Sequence, residues 1–448
     1  MAKGTERKAG ARAGRLGLKP VSFLARLLAA GLIGFLFFSA FVFSAGQKQT
    51  PKSTAKLVAV KAGWIQTVTK GVIRNGVILV RGDRIEDIGA EVAIPPDAEV
   101  LDFQDKYVTP GVVSPDSILG IPRPSQPETL TAAMAAPSAE NLANFPILYS
   151  IYPEHPDYRM ALRHGFTTLA ISPFPQGIAG LAAIVRPEGE RLAEMLVKDR
   201  AFLKIAVSAS TPFWNMMKRS LDEAQKKLDD LKKKEEERKK AEAEKKQKKR
   251  KKEEERKSEA AEEEETLSEA TKVFMDVVEG KLPIMAECLT PNAVDHFIIL
   301  ISAYPRVKVI VRGGPEIYKA GDVLKAKKIP VILTPAIAVV PSRVSVPERT
   351  NYVLKCQNLG LRLAFQAAGE VDEQIHLFDA LNQLAVFGVD KDVLLKGVTI
   401  VPAEILGLDK DIGSLEKGKK ADLIVFRADP LENPAIIEAV ISGGKLVR

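Results

Sequence analysis

The sequence predicts an α/β protein: a (β/α)8 TIM-like barrel with a small composite β-sandwich from both chain ends and a long charged helical insertion. Between residues 107 and 401, short apolar strands alternate with helical stretches, a pattern typical of a parallel barrel. Both flanking parts have strand and turn signals, including Asn75-Gly76 and Gly443-Gly444, which favour hairpins. Residues 218–266 are almost entirely Lys, Glu, Arg and Ala, which predicts a solvated segment.

These changes of pattern set the domain boundaries. Two β-rich parts on either side of one α/β centre indicate that the chain ends pair with each other. The expected order is an N-terminal signal peptide or membrane anchor (1–46), the N-terminal part of the β-sandwich (47–107), the barrel (108–400) with its charged insertion (218–266), and the C-terminal part of the β-sandwich (401–448).

The positive charge is unevenly distributed. The 448 residues have a formal net charge of +8. Residues 1–26 hold seven basic side chains against one acidic side chain, and residues 218–266 hold 19 basic against 17 acidic, so the remainder is neutral. A neutral body lacks the basic surface that follows a phosphate backbone, and nucleic acid is therefore not an expected partner.

The N-terminus has the composition of a membrane-targeting segment. Several basic residues precede an apolar stretch, Leu27–Phe43, that no charge interrupts. That stretch is longer than most signal-peptide cores and slightly shorter than the ~20 residues that span a bilayer, so a cleaved signal and a retained anchor both stay open. Either way, we expect an extracytoplasmic body, periplasmic or secreted, that contacts the membrane through this segment if it is retained.

The charged insertion is expected to form a lone exposed helix. Glu235 and Lys239, like Glu236 and Lys240, have the i, i+4 spacing that supports such a helix through weak ion pairs. Only Leu221, Leu228 and Leu231 have heptad-like spacing, which is too little for a sustained coiled coil. The segment is thus either an inert extension or a docking arm for a partner.

Four segments resemble the amidohydrolase superfamily, and within it the imidazolonepropionase-like branch. They are Val108–Val113, Ala161–Thr168, Pro402–Gly407 and Gly413–Phe426. The resemblance covers nearly everything from residue 56 onwards except the charged insertion. It implies a hydrolase barrel acting on C–N and related bonds with one or two divalent metals such as zinc, together with a small β-sandwich.

The positions that this family uses for metal binding and catalysis are substituted. The family has an Asp and a His pair after the first barrel strand, further histidines on later strands, and a catalytic Asp after the last strand. The corresponding positions here are Ser114, Asp116 and Ile118, then Glu287 and Leu289, then Gly313, and finally Ala368.

The remaining polar residues at predicted strand ends form a candidate pocket of Asp116, Glu287, Arg312 and Gln366. Zinc takes about three or four N, S or O ligands from a protein, and two carboxylates alone make a weak site, so we expect no resident metal. The predicted function is a non-catalytic binding or partner subunit, beside a catalytic relative or within a homo-oligomer. The alternative is an active amidohydrolase with a weakly metal-bound or metal-free carboxylate pair, in which Arg312 orients an anionic group.

A reporter that is active only beyond the cytoplasmic membrane, fused after Arg448, should be active because the basic flank and apolar segment direct the body across the membrane. Deletion of residues 1–46 should abolish that activity. Export of the truncated fusion would contradict the targeting prediction, and the mass of the N-terminal peptide separates a cleaved signal from an anchor.

Overall fold

A seven-stranded sheet is built from strands near both ends of the chain. The structure, a computed structural model, describes residues 56–121, 141–174, 177–249, 267–340, 348–366, 374–432 and 434–447. The sheet has the order β19-β18-β17-β4-β1-β2-β3. Its strands are β1 (Leu57–Gln66), β2 (Val72–Arg81), β3 (Arg84–Gly89), β4 (Glu99–Pro110), β17 (Leu423–Phe426), β18 (Ile437–Ser442) and β19 (Lys445–Leu446).

The two chain ends are joined by an antiparallel ladder between β4 and β17, in which Thr109 lies opposite Ile424. Within this sheet β1 pairs antiparallel with β2 and parallel with β4. Strands from both ends of the chain therefore form one continuous seven-stranded sheet, where the sequence predicted a composite sandwich.

The central strands form two mixed sheets. A four-stranded sheet has the order β5-β6-β8-β9, and a six-stranded sheet has the order β16-β13-β12-β11-β10-β7. A hairpin of β14 (Ala338–Val340) and β15 (Glu348–Thr350) stands apart. The other strands are β5 (Val112–Ser117), β6 (Phe166–Ile171), β7 (Ile178–Leu181), β8 (Ala183–Val185), β9 (Leu196–Lys198), β10 (Leu203–Ala206), β11 (Ile284–Cys288), β12 (Val309–Gly313), β13 (Val331–Leu333) and β16 (Leu363–Phe365).

The described strands do not close into the predicted eight-stranded barrel. Strands β7, β8 and β9 run antiparallel to their neighbours, whereas every ladder of the predicted barrel would be parallel. Ala182 bridges the two sheets: its N–H donates to the Phe202 carbonyl at 3.0 Å, and its carbonyl accepts from the Ala201 N–H at 2.7 Å. The parallel ladders of β5 with β6 and of β10 through β13 to β16 keep the α/β character that the sequence predicts.

Ten helices are described beside these sheets, and five of them begin at a residue whose side chain caps the first turn; His155 and Thr290 are examples. His155 caps α1 by accepting a hydrogen bond from the Asp157 N–H at 3.4 Å, and Thr290 caps α5. The helices are α1 (Pro156–Arg163), α2 (Leu192–Met195), α3 (Thr211–Lys249), α4 (Glu269–Val278), α5 (Pro291–Ile301), α6 (Gly321–Ala326), α7 (Tyr352–Asn358), α8 (Leu377–Val386), α9 (Lys391–Val398) and α10 (Ile400–Leu406), with 3-10 turns at Ile147–Ser150 and Ile317–Ala320.

The charged helix α3 is only partly exposed, which corrects the expectation of a wholly solvated insertion. It begins at Thr211, before the change of composition, and its first half carries an apolar stripe at helical spacing. This stripe is buried against the core and consists of Phe213, Met217, Leu221, Ala224 and Leu228. Leu231 is 47% exposed, and the described side chains beyond it are exposed. Residues 250–266 lie outside the described residues.

A buried ion pair connects the four-stranded sheet to the sheet of the chain ends. Arg186, directly after β8, donates to both carboxylate oxygens of Asp422 at 2.9 and 2.7 Å and to the Ser442 hydroxyl at 2.7 Å. Asp422 also accepts the backbone N–H of Gly443 at 2.9 Å, as its position before a strand predicts. Because Arg186 and Asp422 are both buried, each side chain neutralises the charge of the other.

Among the described residues, no helix has the length and apolar character needed to cross a membrane. The predicted targeting segment, residues 1–46, lies outside the described part of the chain.

Replacement of Leu221 by Ala should lower the free energy of unfolding by about 2–5 kcal/mol, because it leaves a cavity under α3. The matched control, Leu231→Ala on the exposed part of the same helix, should change it by less than about 0.5 kcal/mol. Denaturant unfolding of both variants tests this, and equal effects would show that the first half of α3 does not belong to the core.

Candidate functional site

Six polar side chains meet at the carboxyl-terminal ends of the parallel strands. They lie directly above an apolar layer, because successive side chains of a strand alternate between faces and residues two apart share one face. The apolar layer includes Ala170, Phe202, Met285, Ile310 and Ala364. Two positions further along the same strands or just beyond them are Ser172, Lys204, Glu287, Arg312 and Gln366, and Asp116 joins them from β5.

Register brings the charged residues of neighbouring strands side by side. Glu287 on β11 pairs with Arg312 on β12 and with Ala206 on β10. Lys204 precedes Ala206 by two residues and therefore lies on the same face as Glu287 and Arg312.

The centre of the cluster is a buried ion pair between Lys204 and Asp116. The Lys204 Nζ lies 2.6 Å from each carboxylate oxygen of Asp116, and both side chains are at most 5% exposed. The Ser172 hydroxyl donates to Asp116 Oδ1 at 2.5 Å and accepts from Lys204 Nζ at 3.0 Å. The three groups thus form a closed triangle in which every bond involves a charge.

A second ion pair completes the network. The Arg312 guanidinium donates to Glu287 Oε1 at 2.5 Å, and its Nε lies 3.4 Å from Asp116 Oδ2. With its amide oxygen turned towards Arg312, Gln366 accepts from the guanidinium at 2.8 and 3.0 Å and donates to Asp116 at 3.2 Å. The second oxygen of Glu287, Oε2, is buried and accepts no hydrogen bond from the described residues.

The charges of the network balance. Burial acts to raise the pKa of Asp116, but the charges of Lys204 and Arg312 and the hydrogen bonds from Lys204 and Ser172 outweigh it, so this pKa is held below its usual value. Asp116 and Glu287 as anions face Lys204 and Arg312 as cations. The network is therefore neutral in sum and mutually hydrogen-bonded.

All four residues of the predicted pocket, Asp116, Glu287, Arg312 and Gln366, lie in this network. Sequence reasoning missed Lys204 and Ser172, although a lone lysine inside the apolar run Ala201–Ala206 was a signal for a buried cation. The other positions that the resemblance singled out lie outside the network. The Ser114 hydroxyl donates to the backbone carbonyl of Asp116 at 3.1 Å, Ile118 is half-buried, and Leu289 is 61% exposed. Gly313 ends β12, and Ala368 lies outside the described residues.

The donor set does not fit a catalytic metal. Asp116 and Glu287 are the only anions of the network; both Asp116 oxygens accept from Lys204, and one Glu287 oxygen accepts from Arg312. A divalent cation here would lie against an ammonium and a guanidinium, which repel it. Across the described ranges, no cluster of three or more His, Cys, Asp or Glu side chains is arranged to bind a metal ion.

Comparison with protein families identifies one match. The model of the amidohydrolase family matches residues 368–447, in the C-terminal part of the chain. No curated protein matches the sequence at a significant level.

Comparison with solved structures finds amidohydrolase folds. An amidohydrolase from Thermotoga maritima MSB8 is 22% identical, with a TM-score of 0.71 over 87% of this chain and 99% of that chain. A prolidase complexed with N-methylphosphonate-L-proline is 14% identical (TM-score 0.52; 88% and 100% covered), and molinate hydrolase is 13% identical (TM-score 0.52; 88% and 94% covered). These likenesses indicate the TIM-barrel-like α/β fold of amidohydrolases.

Asp116→Asn should lower the free energy of unfolding by about 3–5 kcal/mol near neutral pH, since it leaves the Lys204 ammonium buried without its counter-charge. The folded-state pKa of Asp116 lies below the ordinary aspartate value of 3.8, so the pair stabilises the fold above that pH and loses its contribution as pH falls through the folded pKa. The deficit of the variant should therefore shrink at acidic pH, as measured by denaturant unfolding across pH.

Two variants control this prediction. Asp411→Asn removes a carboxylate from an exposed pair with Arg84 and should cost less than about 0.5 kcal/mol. The double variant Asp116→Leu/Lys204→Met should lose less stability than the sum of its two single variants. Additive losses would show that the two charges do not depend on each other.

Proposed function

We propose that this chain is an amidohydrolase-family protein of the imidazolonepropionase-like branch in which an ion-pair network has replaced the metal site. In this proposal it acts as a non-catalytic binding or partner subunit. The observation that carries the proposal is the position of the Lys204 ammonium, 2.6 Å from both carboxylate oxygens of Asp116.

The chemistry of an ammonium supports this function. A metal in a hydrolase polarises the scissile carbonyl and lowers the pKa of a bound water, and both effects require open coordination positions. Lys204 supplies positive charge to Asp116 but offers no such positions. Asp116 and Glu287 each form an ion pair with a cation. In this proposal neither carboxylate acts as a general base, because it would first have to leave its ion pair to take up a substrate proton.

The expected partners and location extend this proposal. A non-catalytic subunit acts through what it binds, so we propose either a catalytic relative or a second copy of this chain as its partner. Residues 1–46 support an extracytoplasmic body, tethered or released, and the neutral charge of the chain outside its two charged segments supports the absence of a nucleic-acid partner.

One observation favours a second candidate function, a metal-free carboxylate site. The Glu287 Oε2 atom is buried and accepts no hydrogen bond from the part of the chain that the structure describes, so it is available to a substrate proton or a bound ligand. Arg312 beside it would hold an anionic substrate group, and Glu287 would then serve as general base.

Metal content distinguishes the proposed function from a metal-dependent hydrolase. The full chain purified with added zinc and freed of excess metal should hold far less than one equivalent, because its donors already bind cations. Its melting temperature should be unchanged by zinc or chelator, whereas a metal held at 100 times its Kd stabilises by about 2.7 kcal/mol. One equivalent of zinc that is lost in an Asp116→Asn/Glu287→Gln variant would overturn the proposal.

Hydrolysis in the presence of chelator tests the second candidate. With dipeptides and N-acyl amino acids as substrates, the proposed function predicts equal background rates for the wild type and for Glu287→Gln. Turnover that resists chelator and disappears in Glu287→Gln, while Glu404→Gln at the opposite strand ends retains it, would establish the carboxylate site instead.

A further inference from the structure

A basic cavity lies at the other end of the same strands. Its volume is about 710 Å³, and it opens where β11, β12, β13 and β16 begin. Its apolar lining includes Ile301, Val309, Ile310 and Ile329. Because it lies at the amino-terminal strand ends, it is separate from the network around Asp116.

Cations dominate the polar lining of this cavity. It is lined by Lys198, Lys281, Lys308, Lys327, Lys328 and Arg362, and by the single carboxylate of Glu404. Glu404 pairs with Arg362, and Lys281 pairs with Glu279 at 2.6 Å. Among the described residues, no carboxylate lies within ion-pair distance of the other four lysines.

Lys198 has no carboxylate partner among the described residues and lies within the electrostatic reach of Lys308. The Lys198 Nζ lies 3.4 Å from the Leu406 carbonyl, a weak contact that leaves its charge largely uncompensated. Burial lowers the pKa of Lys198, and the charge of Lys308 lowers it further. An anion beside Lys198 would offset the charge of Lys308 and favour the charged form of Lys198.

Lys328 is held in a backbone conformation that favours glycine. Its φ is +54°, and it follows the end of α6, where its N–H donates to the Lys325 carbonyl at 3.0 Å. A lysine in this left-handed position costs about 1 kcal/mol relative to glycine. The strained residue is one of the cations that line the cavity, as is common for residues that serve a ligand.

We propose that this cavity binds the phosphate groups of a compound that carries two or more of them. Lysine ammonium groups act as point charges that suit phosphate oxygens, and the exposed lysines line this cavity together with apolar side chains that can contact the rest of the compound. The volume falls within the range of ligand sites, about 300–1,000 Å³. This site is independent of the proposed function, because none of its residues belongs to the strand-end network.

Calorimetric titration of the full chain with inorganic tripolyphosphate tests the site. We expect saturable binding that weakens with added salt, since ions screen exposed charges. Lys308→Glu and Lys198→Glu should each raise the Kd by about tenfold or more, equivalent to about 1.4 kcal/mol. The matched control Lys417→Glu, an exposed lysine outside the cavity, makes the same charge change and should stay within about twofold of wild type.

A second arm separates the two sources of such phosphates, a soluble compound and a lipid headgroup. The same four proteins are sedimented with phosphatidylcholine vesicles with and without phosphatidylinositol bisphosphate. Binding that requires the bisphosphate and falls in both cavity variants but not in the control supports the site with a lipid source. If neither tripolyphosphate nor vesicle binding differs between the cavity variants and Lys417→Glu, the proposal is wrong.

Discussion

The buried pair of Lys204 and Asp116 is the interaction on which the centre of the molecule depends. Each of the two parallel ladders contributes one member, since Asp116 lies within β5 and Lys204 within β10. Neither charge reaches water, so each is tolerable only because the other is present. Since β5 and β10 belong to different sheets and are not hydrogen-bonded to each other, the ion pair joins the two sheets at this point. Contacts with Ser172, Arg312 and Gln366 fix its geometry.

The apolar layer beneath the network adds to this constraint. The side chains of Phe202, Met285 and Ile310 exclude water from below and so strengthen the attraction between the charges above them. A protein that needed metal chemistry at this place would have to keep lone pairs free on several donors. Here the described residues use most of those lone pairs within the network, and the Oε2 atom of Glu287 keeps its own free of them.

Much of this arrangement could be predicted from the sequence, because strand alternation and parallel topology are local and regular. The apolar run Leu282–Cys288 predicted β11, observed at Ile284–Cys288. The family resemblance pointed to the positions of Asp116 and Glu287, and Arg312 and Gln366 stand at the ends of predicted strands. Lys204 was missed because its partner is 88 residues away, and no local pattern reveals a pairing between strands. The burial of the first half of α3 was missed because the segment was assigned from its charged composition alone. The helical spacing of apolar residues that starts at Phe213 continues through Leu221 and indicates a buried face.

The ladder between β4 and β17 has a consequence for how the chain is made. Pro110 ends β4 and Leu423 begins β17, so more than 300 residues are synthesised between them. At about 5–20 residues per second, one edge of β4 stays open for roughly 15–60 s after it leaves the ribosome. An open edge readily pairs with another chain. The nascent protein is thus most prone to aggregate during the interval between the synthesis of β4 and its pairing with β17.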